Sequence, residues 1–197
     1  MDKERFEKQL SFIMEADKEK NVLRQTHLSN HGRRENDAEH AWHMAIMIYL
    51  LKEYSNEEID VAKAMMMALI HDIVEIDAGD TYAYDTTGLE SQKRREELAA
   101  DRIFGLLPDD QRDELRALFE EFEACESAEA KFARAMDNFQ PLLLNDSNGG
   151  ADWRAHKVTK SKVMGRQKNT IQGSCEIWNY VETLINANVE LGNIMNE

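Results

Sequence analysis

The chain is poor in everything that staples or breaks a backbone. Its 197 residues include two cysteines, two prolines and nine glycines. Cys125 and Cys175 are too far apart for a zinc or redox motif. Neither a disulfide framework nor a thiolate zinc site is expected, and two plain thiols suit a reducing, cytoplasmic setting. No apolar run approaches the roughly 18 residues of a membrane span. The first twenty residues are charged throughout, so neither a membrane helix nor a secretory signal is expected. Positive charge is also scarce: 24 Lys and Arg stand against 38 Asp and Glu, a net charge of −14. Binding to nucleic-acid polymers runs on Lys and Arg at phosphates, so DNA and RNA are not expected as partners.

What the chain does contain is helix formers, and the expected fold class is all-α. At this length one domain suffices, burying roughly 70 per cent of its unfolded surface. We expect a single domain over residues 1–197, a bundle of about six to seven helices by apolar spacing. Phe6, Leu10, Ile13 and Met14 mark an amphipathic first helix over 3–20. Residues 21–36 break the period and read as a loop. Asn36 or Asp37 caps a helix over about 38–54, with Trp42, Ala45, Ile46, Tyr49 and Leu50 as its buried stripe. Ser55, Asn56 and Glu58 start the next, an apolar helix from Ile59 to about Ile76 in which Met65 to Met67 are core filler. Helices over 89–107, 109–126 and 128–145 follow, with Pro108 in a first turn and Pro141 as a kink. One long terminal helix is expected over 153–187, interrupted near Gly165 or Gly173, and then a frayed end.

The densest chemistry lies in residues 68–81, ALIHDIVEIDAGDT. His71 and Asp72 stand side by side at the end of a run apolar enough to be buried. Burying an imidazole and a carboxylate requires a partner, and a divalent metal is a strong one. Asp72 and Glu75 share a face if the helix continues. Gly79 is the expected stop, which leaves Asp80 at the head of a loop that helps to complete a substrate pocket. Upstream, Arg24, Arg33 and Arg34 with His27 and His31 form a basic island suited to an anionic substrate. His40 sits in the first turns of its helix, and Asp137 lies among Phe132, Ala133, Met136 and Phe139. The plain alternative for Asp137 is a structural carboxylate paired with Arg134. Taken together, His40, His71, Asp72 and Asp137 make a mixed nitrogen and oxygen set for one divalent ion: Mn, Co, Fe, Ni, Zn or Mg. With coordination positions left open, such a site is hydrolytic in character.

In that order and on those helices, these four residues resemble the H…HD…D signature of the HD-domain metal-dependent phosphohydrolases. The longer pieces AEHAW at 38–42 and LIHDIVEIDAGDT at 69–81 resemble the branch holding the bacterial 5′-deoxynucleotidases and their eukaryotic homologues. The likeness spans roughly residues 20–145. It implies a phosphomonoesterase acting on nucleoside 5′-monophosphates or similar small phosphate esters. His40, His71, Asp72 and Asp137 would bind the metal. Glu75 and Asp80 match the carboxylates that serve the chemistry, Asp80 acting on the water or leaving group and Glu75 holding the water. Arg24, with Arg33 or Arg34, would take the phosphate. The branch carries a tryptophan directly after that arginine, packed on the sugar, and this chain has Gln25 there. That departure leaves deoxyribose selectivity open, while phosphate-ester hydrolysis is still implied.

A di-iron carboxylate bundle would show Glu-x-x-His pairs, and no histidine here has a glutamate three residues before it. The remaining alternative is a regulatory HD domain that binds metal or nucleotide without turnover. The resemblance also implies a homodimer, since members of that family often pair, and Trp178, Val181, Leu184 and Ile185 of the long last helix could supply the surface.

Overall fold

The computed structural model describes residues 1–79 and 86–197, the side chains of 86–91 excepted. Helices dominate, as the composition requires. In chain order they are α1 (Lys3–Ala16), α2 (Asp37–Leu51), α3 (Val61–Ile70), α4 (Glu75–Ala78), α5 (Thr86–Phe104), α6 (Asp109–Ala124), α7 (Ala128–Ser147), α8 (Ala151–Ala155), α9 (Lys160–Gln167), α10 (Thr170–Gly173) and α11 (Cys175–Glu190). The stretch read as a loop between α1 and α2 contains instead a two-stranded antiparallel hairpin, β1 (Leu23–His27) and β2 (Arg34–Asn36). Its turn passes through His31 with a positive φ.

The central layer is α7, which packs on α2, α3 and α6 on one side and on α10 and α11 on the other. Met44, Ile48, Met67, Phe132, Met136, Val181 and Ile185 are buried there. Each such side chain contributes about 1.5–3 kcal/mol relative to exposure. A second cluster of Ile70, Ile73, Ile103, Phe104 and Phe119 joins the end of α3 to α5 and α6. The candidate ligands fall where the two clusters meet.

Several expected elements differ in ways that have physical causes. Helix α2 is apolar round most of its circumference, so spacing alone does not select a face. The structure buries Ala41, Met44, Ala45 and Ile48 and leaves Trp42 61%, Tyr49 55% and Leu50 62% exposed, so of the expected stripe only Ala45 is in the core. In α1 the expected face is likewise outside, and Phe12 makes the inward contact. Helix α3 begins after Asp60, whose side chain accepts from the Lys63 amide at 3.1 Å. Asn56 does not start that helix. It binds the far end of the chain, accepting from the Cys175 amide and donating to the Ile171 carbonyl, both at 2.8 Å. Of the three adjacent methionines, Met67 is fully buried and Met66 is 40% exposed.

Helix α3 does not run on to Ile76. It ends at Ile70, and residues 71–74 form a turn before α4. The turn tightens to short-range bonds, with the Glu75 amide donating to the Asp72 carbonyl at 2.8 Å. Side chains three apart eclipse in such a turn, so Asp72 and Glu75 still share a side.

The single terminal helix is a series of four, α8 to α11. Gly173 closes α10, and Ser174 caps α11 by accepting from the Ile177 amide at 3.1 Å. The last residues are not frayed: Ile194 is 1% exposed, and Met195 pairs with Thr159 in an isolated bridge. In α11, Val181, Leu184 and Ile185 point into the core and Trp178 packs against it, so these four do not form a free surface. Among the described residues no helix is long and apolar enough to cross a membrane.

Candidate metal centre

His40 owes its place to the start of α2. Asn36 caps the helix through a reciprocal box with Glu39: the Glu39 amide donates to Asn36 Oδ1 at 2.9 Å and the Asn36 amide donates to Glu39 Oε2 at 3.2 Å. One residue on, His40 points inward and is fully buried. His71 arrives from the end of α3, where it is 4% exposed and its ring packs tilted against Phe122, centroids 4.9 Å apart. Asp137 comes from the middle of α7. Pro141, one turn later, has no amide hydrogen to give to the Asp137 carbonyl.

Both histidines are oriented by bonds to their outer nitrogens. Nδ1 of His71 stands 2.8 Å from the Ala68 carbonyl oxygen, an acceptor only, so this nitrogen carries a proton. Nδ1 of His40 stands 2.9 Å from Gln140 Oε1. The Gln140 amide nitrogen donates to Glu35 Oε1 at 2.6 Å and approaches His43 Nδ1 at 3.1 Å, which fixes the amide with its oxygen toward His40. In each ring, Nε2 is therefore the nitrogen turned to the centre.

The carboxylates converge on the same point. Asp137 Oδ1 is 3.3 Å from His40 Nε2 and 3.9 Å from His71 Nε2. Ligand atoms of His40, His71 and Asp72 lie within 4.8 Å of one another, a group that suits a metal ion. His71 Nε2 is 3.1 Å from Asp72 Oδ1, yet the geometry makes no hydrogen bond, and among the described residues this buried nitrogen has none. Two imidazole nitrogens and two carboxylates fit a divalent ion of the kind the sequence suggested.

The electrostatics agree. Burial lowers His40 to about 4, with the Arg24 charge adding to the shift. Burial also opposes charge on His71, but the Asp72 carboxylate beside it prevails and raises it to about 9. Asp72 resists the upward push of burial because His71 and Arg24 hold it well below the usual range. Asp137 behaves alike, held down by Arg166, His40 and Arg134. This is a centre arranged for positive charge, and a divalent cation would answer the same need while displacing the proton of His71.

A cavity of about 910 Å³ opens beside the centre, a size within the range of small-molecule sites. Arg24, His71, Asp72, Glu75 and Asp137 line it. Arg24 comes from β1, and its Nη1 is 2.6 Å from Asp72 Oδ2. Glu75 is 7% exposed. Asp80 and the loop after Gly79 lie outside the described residues. Arg33 and Arg34 are exposed on the hairpin and do not line the cavity, and Arg33 is paired with Glu39.

Sequence reasoning missed Gln140, Glu35 and Arg166, and gave Arg134 only a structural role. Gln140 and Glu35 orient His40. Arg134 and Arg166 line the cavity and reach Asp137 Oδ2 at 3.3 and 3.2 Å. The i to i+3 spacing made Arg134 visible as a structural partner of Asp137, and the ion pair exists inside the site. Nothing in sequence marked Arg166, which α9 brings in from 29 positions away.

A family model described as "HD domain" matches residues 16–178. The human protein named 5'-deoxynucleotidase HDDC2 is 37% identical over 114 residues, covering 58% of this chain and 54% of that protein. The chain thus spans about half the length of that relative. The 5'-deoxynucleotidase hdd1 of Schizosaccharomyces pombe is 28% identical over 158 residues, 73% of this chain and 78% of that protein. A crystal structure from Magnetospirillum magnetotacticum, titled as a predicted metal-dependent phosphohydrolase, superposes with a TM-score of 0.93. It has 46% identity and covers 96% of this chain and 95% of its own. The fold, the convergent His and Asp side chains and these matches agree, and the chain belongs to the HD-domain family.

Proposed function

We propose that the protein is a metal-dependent phosphomonoesterase that releases phosphate from nucleoside 5′-monophosphates or closely similar small esters. One observation carries this reading. Two buried histidines, each oriented through its outer nitrogen, present Nε2 to the same point as Asp72 and Asp137, and that point opens on a cavity whose mixed, charged lining includes Arg24, Arg134 and Arg166. His40, His71, Asp72 and Asp137 are the ligands of one divalent ion. When bound, the ion supplies Lewis-acid polarisation of the phosphoryl group and lowers the pKa of water.

The chain's own residues do the rest. Arg24 neutralises a phosphoryl oxygen from the β1 side, and its position is set by Asp37 Oδ1 at 3.2 Å as well as by Asp72. Arg166, which reaches Asp137 Oδ2 at 3.2 Å and lines the same cavity with a side chain 38% exposed, supplies a second guanidinium. Glu75 shares the Asp72 side of the centre and orients the attacking water, and Asp80 is the candidate to hand a proton to the leaving group. Arg33 and Arg34 have no part in this arrangement.

The test is to strip the protein with chelator, restore Mn, Co, Fe, Ni, Zn or Mg singly, and measure phosphate release from nucleoside monophosphates and an aryl phosphate. Release that needs metal and disappears in Asp72→Ala supports the reading. No release with any ion, although one ion binds per chain, would leave a binding domain in its place.

We further propose that the protein pairs with a second copy through the outer face of α2. Trp42, Ile46, Tyr49 and Leu50 form an uncharged, partly aromatic surface there, the composition found at interface cores. A reducing cytoplasmic setting remains the reading of its two free thiols.

A further inference from the structure

A dense strip of positive charge lies outside the metal centre, in α8, α9 and the turns around them. Residues 153–175 hold Arg154, Lys157, Lys160, Lys162, Arg166 and Lys168 and no aspartate or glutamate, in a chain whose net charge is −14. Lys160 is half-buried and the others are exposed. Elsewhere on the surface lysines are relieved by carboxylates: Lys3, Lys8, Lys18 and Lys63 pair with Glu7, Glu4, Glu15 and Glu121. Lys157, Lys160, Lys162 and Lys168 have no ion pair among the described residues. The strip is nevertheless fixed in place. Val158 and Val163 are buried, and Gln167 donates to the Asn138 carbonyl at 2.5 Å, so the core holds the segment while its lysines stay in water.

The place of the strip beside the cavity gives it a use. Trp153, His156, Val163, Arg166 and Gln167 line the cavity, so α8 and α9 form one wall, and Lys157, Lys162 and Lys168 each adjoin a lining residue in sequence. The wall from α5 and α6 is mainly acidic, with Glu96, Glu97, Glu120 and Glu123 against Lys93 and Arg116. A phosphate monoester carries about two negative charges near neutral pH, and the acidic chain as a whole repels it. A charge is felt over roughly 8–10 Å at ordinary ionic strength, so the lysines act on an approaching anion without touching it.

We propose that the basic strip of α8 and α9 steers anionic substrates into the cavity, so that they enter along this wall and not across the carboxylates of α5 and α6. This rests on the phosphomonoesterase reading above. Lys157, Lys162 and Lys168 set the ease of capture and take no part in the chemistry.

The experiment measures kcat and kcat/KM for a nucleoside 5′-monophosphate in the metal-loaded protein, from about 10 mM to about 500 mM salt. The parent is compared with a triple variant, Lys157→Glu, Lys162→Glu and Lys168→Glu. A control carries Lys3→Glu, Lys8→Glu and Lys52→Glu, which change the net charge equally at positions that do not line the cavity. Calorimetry with inorganic phosphate reads the same salt dependence without turnover. We expect the α8–α9 variant to lose about tenfold in kcat/KM at low salt with kcat unchanged, and to converge on the parent at high salt, while the control follows the parent throughout. Equal losses in the two triple variants would assign the effect to net charge and overturn the proposal. An α8–α9 variant that matches the parent at low salt does the same, as does a fall in kcat or a loss that salt does not remove, either of which marks a structural role. A parent without turnover removes the esterase reading, and the phosphate-binding curves then decide the proposal by the same comparison.

Discussion

Arg24 Nη1 stands 2.6 Å from Asp72 Oδ2 and joins the hairpin to the end of α3 across 48 positions of sequence. The same guanidinium is 3.2 Å from Asp37 Oδ1 and 3.8 Å from Glu35 Oε2, carboxylates that are 0% and 2% exposed. An arginine recruited only to hold a phosphate would not need two further buried carboxyl groups around it. Arg24 is thus a structural countercharge as well as a substrate contact. Arg24→Ala removes the charge that lets these groups stay buried, and we expect a loss of roughly 3–5 kcal/mol in urea unfolding. Arg24→Lys keeps the charge without the fork and falls between. A loss below about 1 kcal/mol, the range of surface pairs, would show that the buried carboxylates do not depend on it.

Gln140 acts on the metal through His40. Its amide is satisfied on both sides, by His40 and by Glu35, so neither ring nor amide can turn over without losing a bond. Gln140→Leu keeps the volume and removes both contacts. The expected result is metal affinity weaker by roughly 10- to 100-fold, read by competition with a chromophoric chelator. Unchanged affinity would mean that packing alone holds the ring.

Glu19 gives the stability a pH dependence of definite sign. It is 6% exposed in the turn after α1, and burial, reinforced by the Asp72 charge, raises it from 4.5 to about 7. The folded state therefore holds this proton more tightly than the unfolded chain does. Its contribution is full below about pH 4.5 and is lost as pH rises through 7. Glu19→Gln keeps the neutral form at every pH. Chemical unfolding should show the variant close to the parent at pH 5 and more stable by roughly 3 kcal/mol at pH 8. Equal differences at the two pH values would exclude Glu19 as the titrating group.

Gly173 is where α10 meets α7. A methyl group placed on it would come well inside contact distance of the Lys131 carbonyl oxygen, with the Ala135 side chain close by. Backbone cannot yield as a flexible side chain does, so Gly173→Ala should cost about 1–3 kcal/mol. Gly165, with nothing near its missing side chain, is the control: Gly165→Ala, in the interior of α9, should be stabilising by up to about 1 kcal/mol. Thermal unfolding of the pair distinguishes close approach from a general effect of glycine.

The ligand set was legible because its chemistry is carried by residue type and by helix-borne position. His40, His71, Asp72 and Asp137 are all within or at the end of helices whose existence follows from apolar spacing. Their convergence was not fixed by spacing: residue chemistry offered the four as one set, and the family signature supported that grouping. What could not be read was set by tertiary contact. The face that α2 buries is decided by α3 and α7, because the helix is apolar nearly all round. The hairpin at 23–36 has no alternation of apolar and polar residues to reveal it. Arg166 lies in a segment read as one long helix with a break near Gly165 or Gly173, and it is the separate short helix α9 that brings it to Asp137.

The same ambiguity of α2 leads to the last prediction. Trp42 61%, Tyr49 55% and Leu50 62% exposed, with Met66 and Leu69 of α3 at 40% and 42%, are large apolar groups outside the core of this chain. A helix face set against its own copy makes a self-complementary contact, as two-fold symmetry requires. Stable pairing needs more than about 1,000 Å² of buried surface, which one helix with flanking residues can approach. Light scattering after size exclusion should therefore give twice the 22.8 kDa chain mass. Trp42→Glu with Tyr49→Glu should shift the protein to the single-chain mass while leaving its helical circular dichroism intact. A parent protein that runs as a single chain at working concentration would remove the dimer. A dimer that survives both substitutions would place the contact elsewhere, with the exposed face of α1, where Ile13 is 59% and Met14 65% exposed, the next to test.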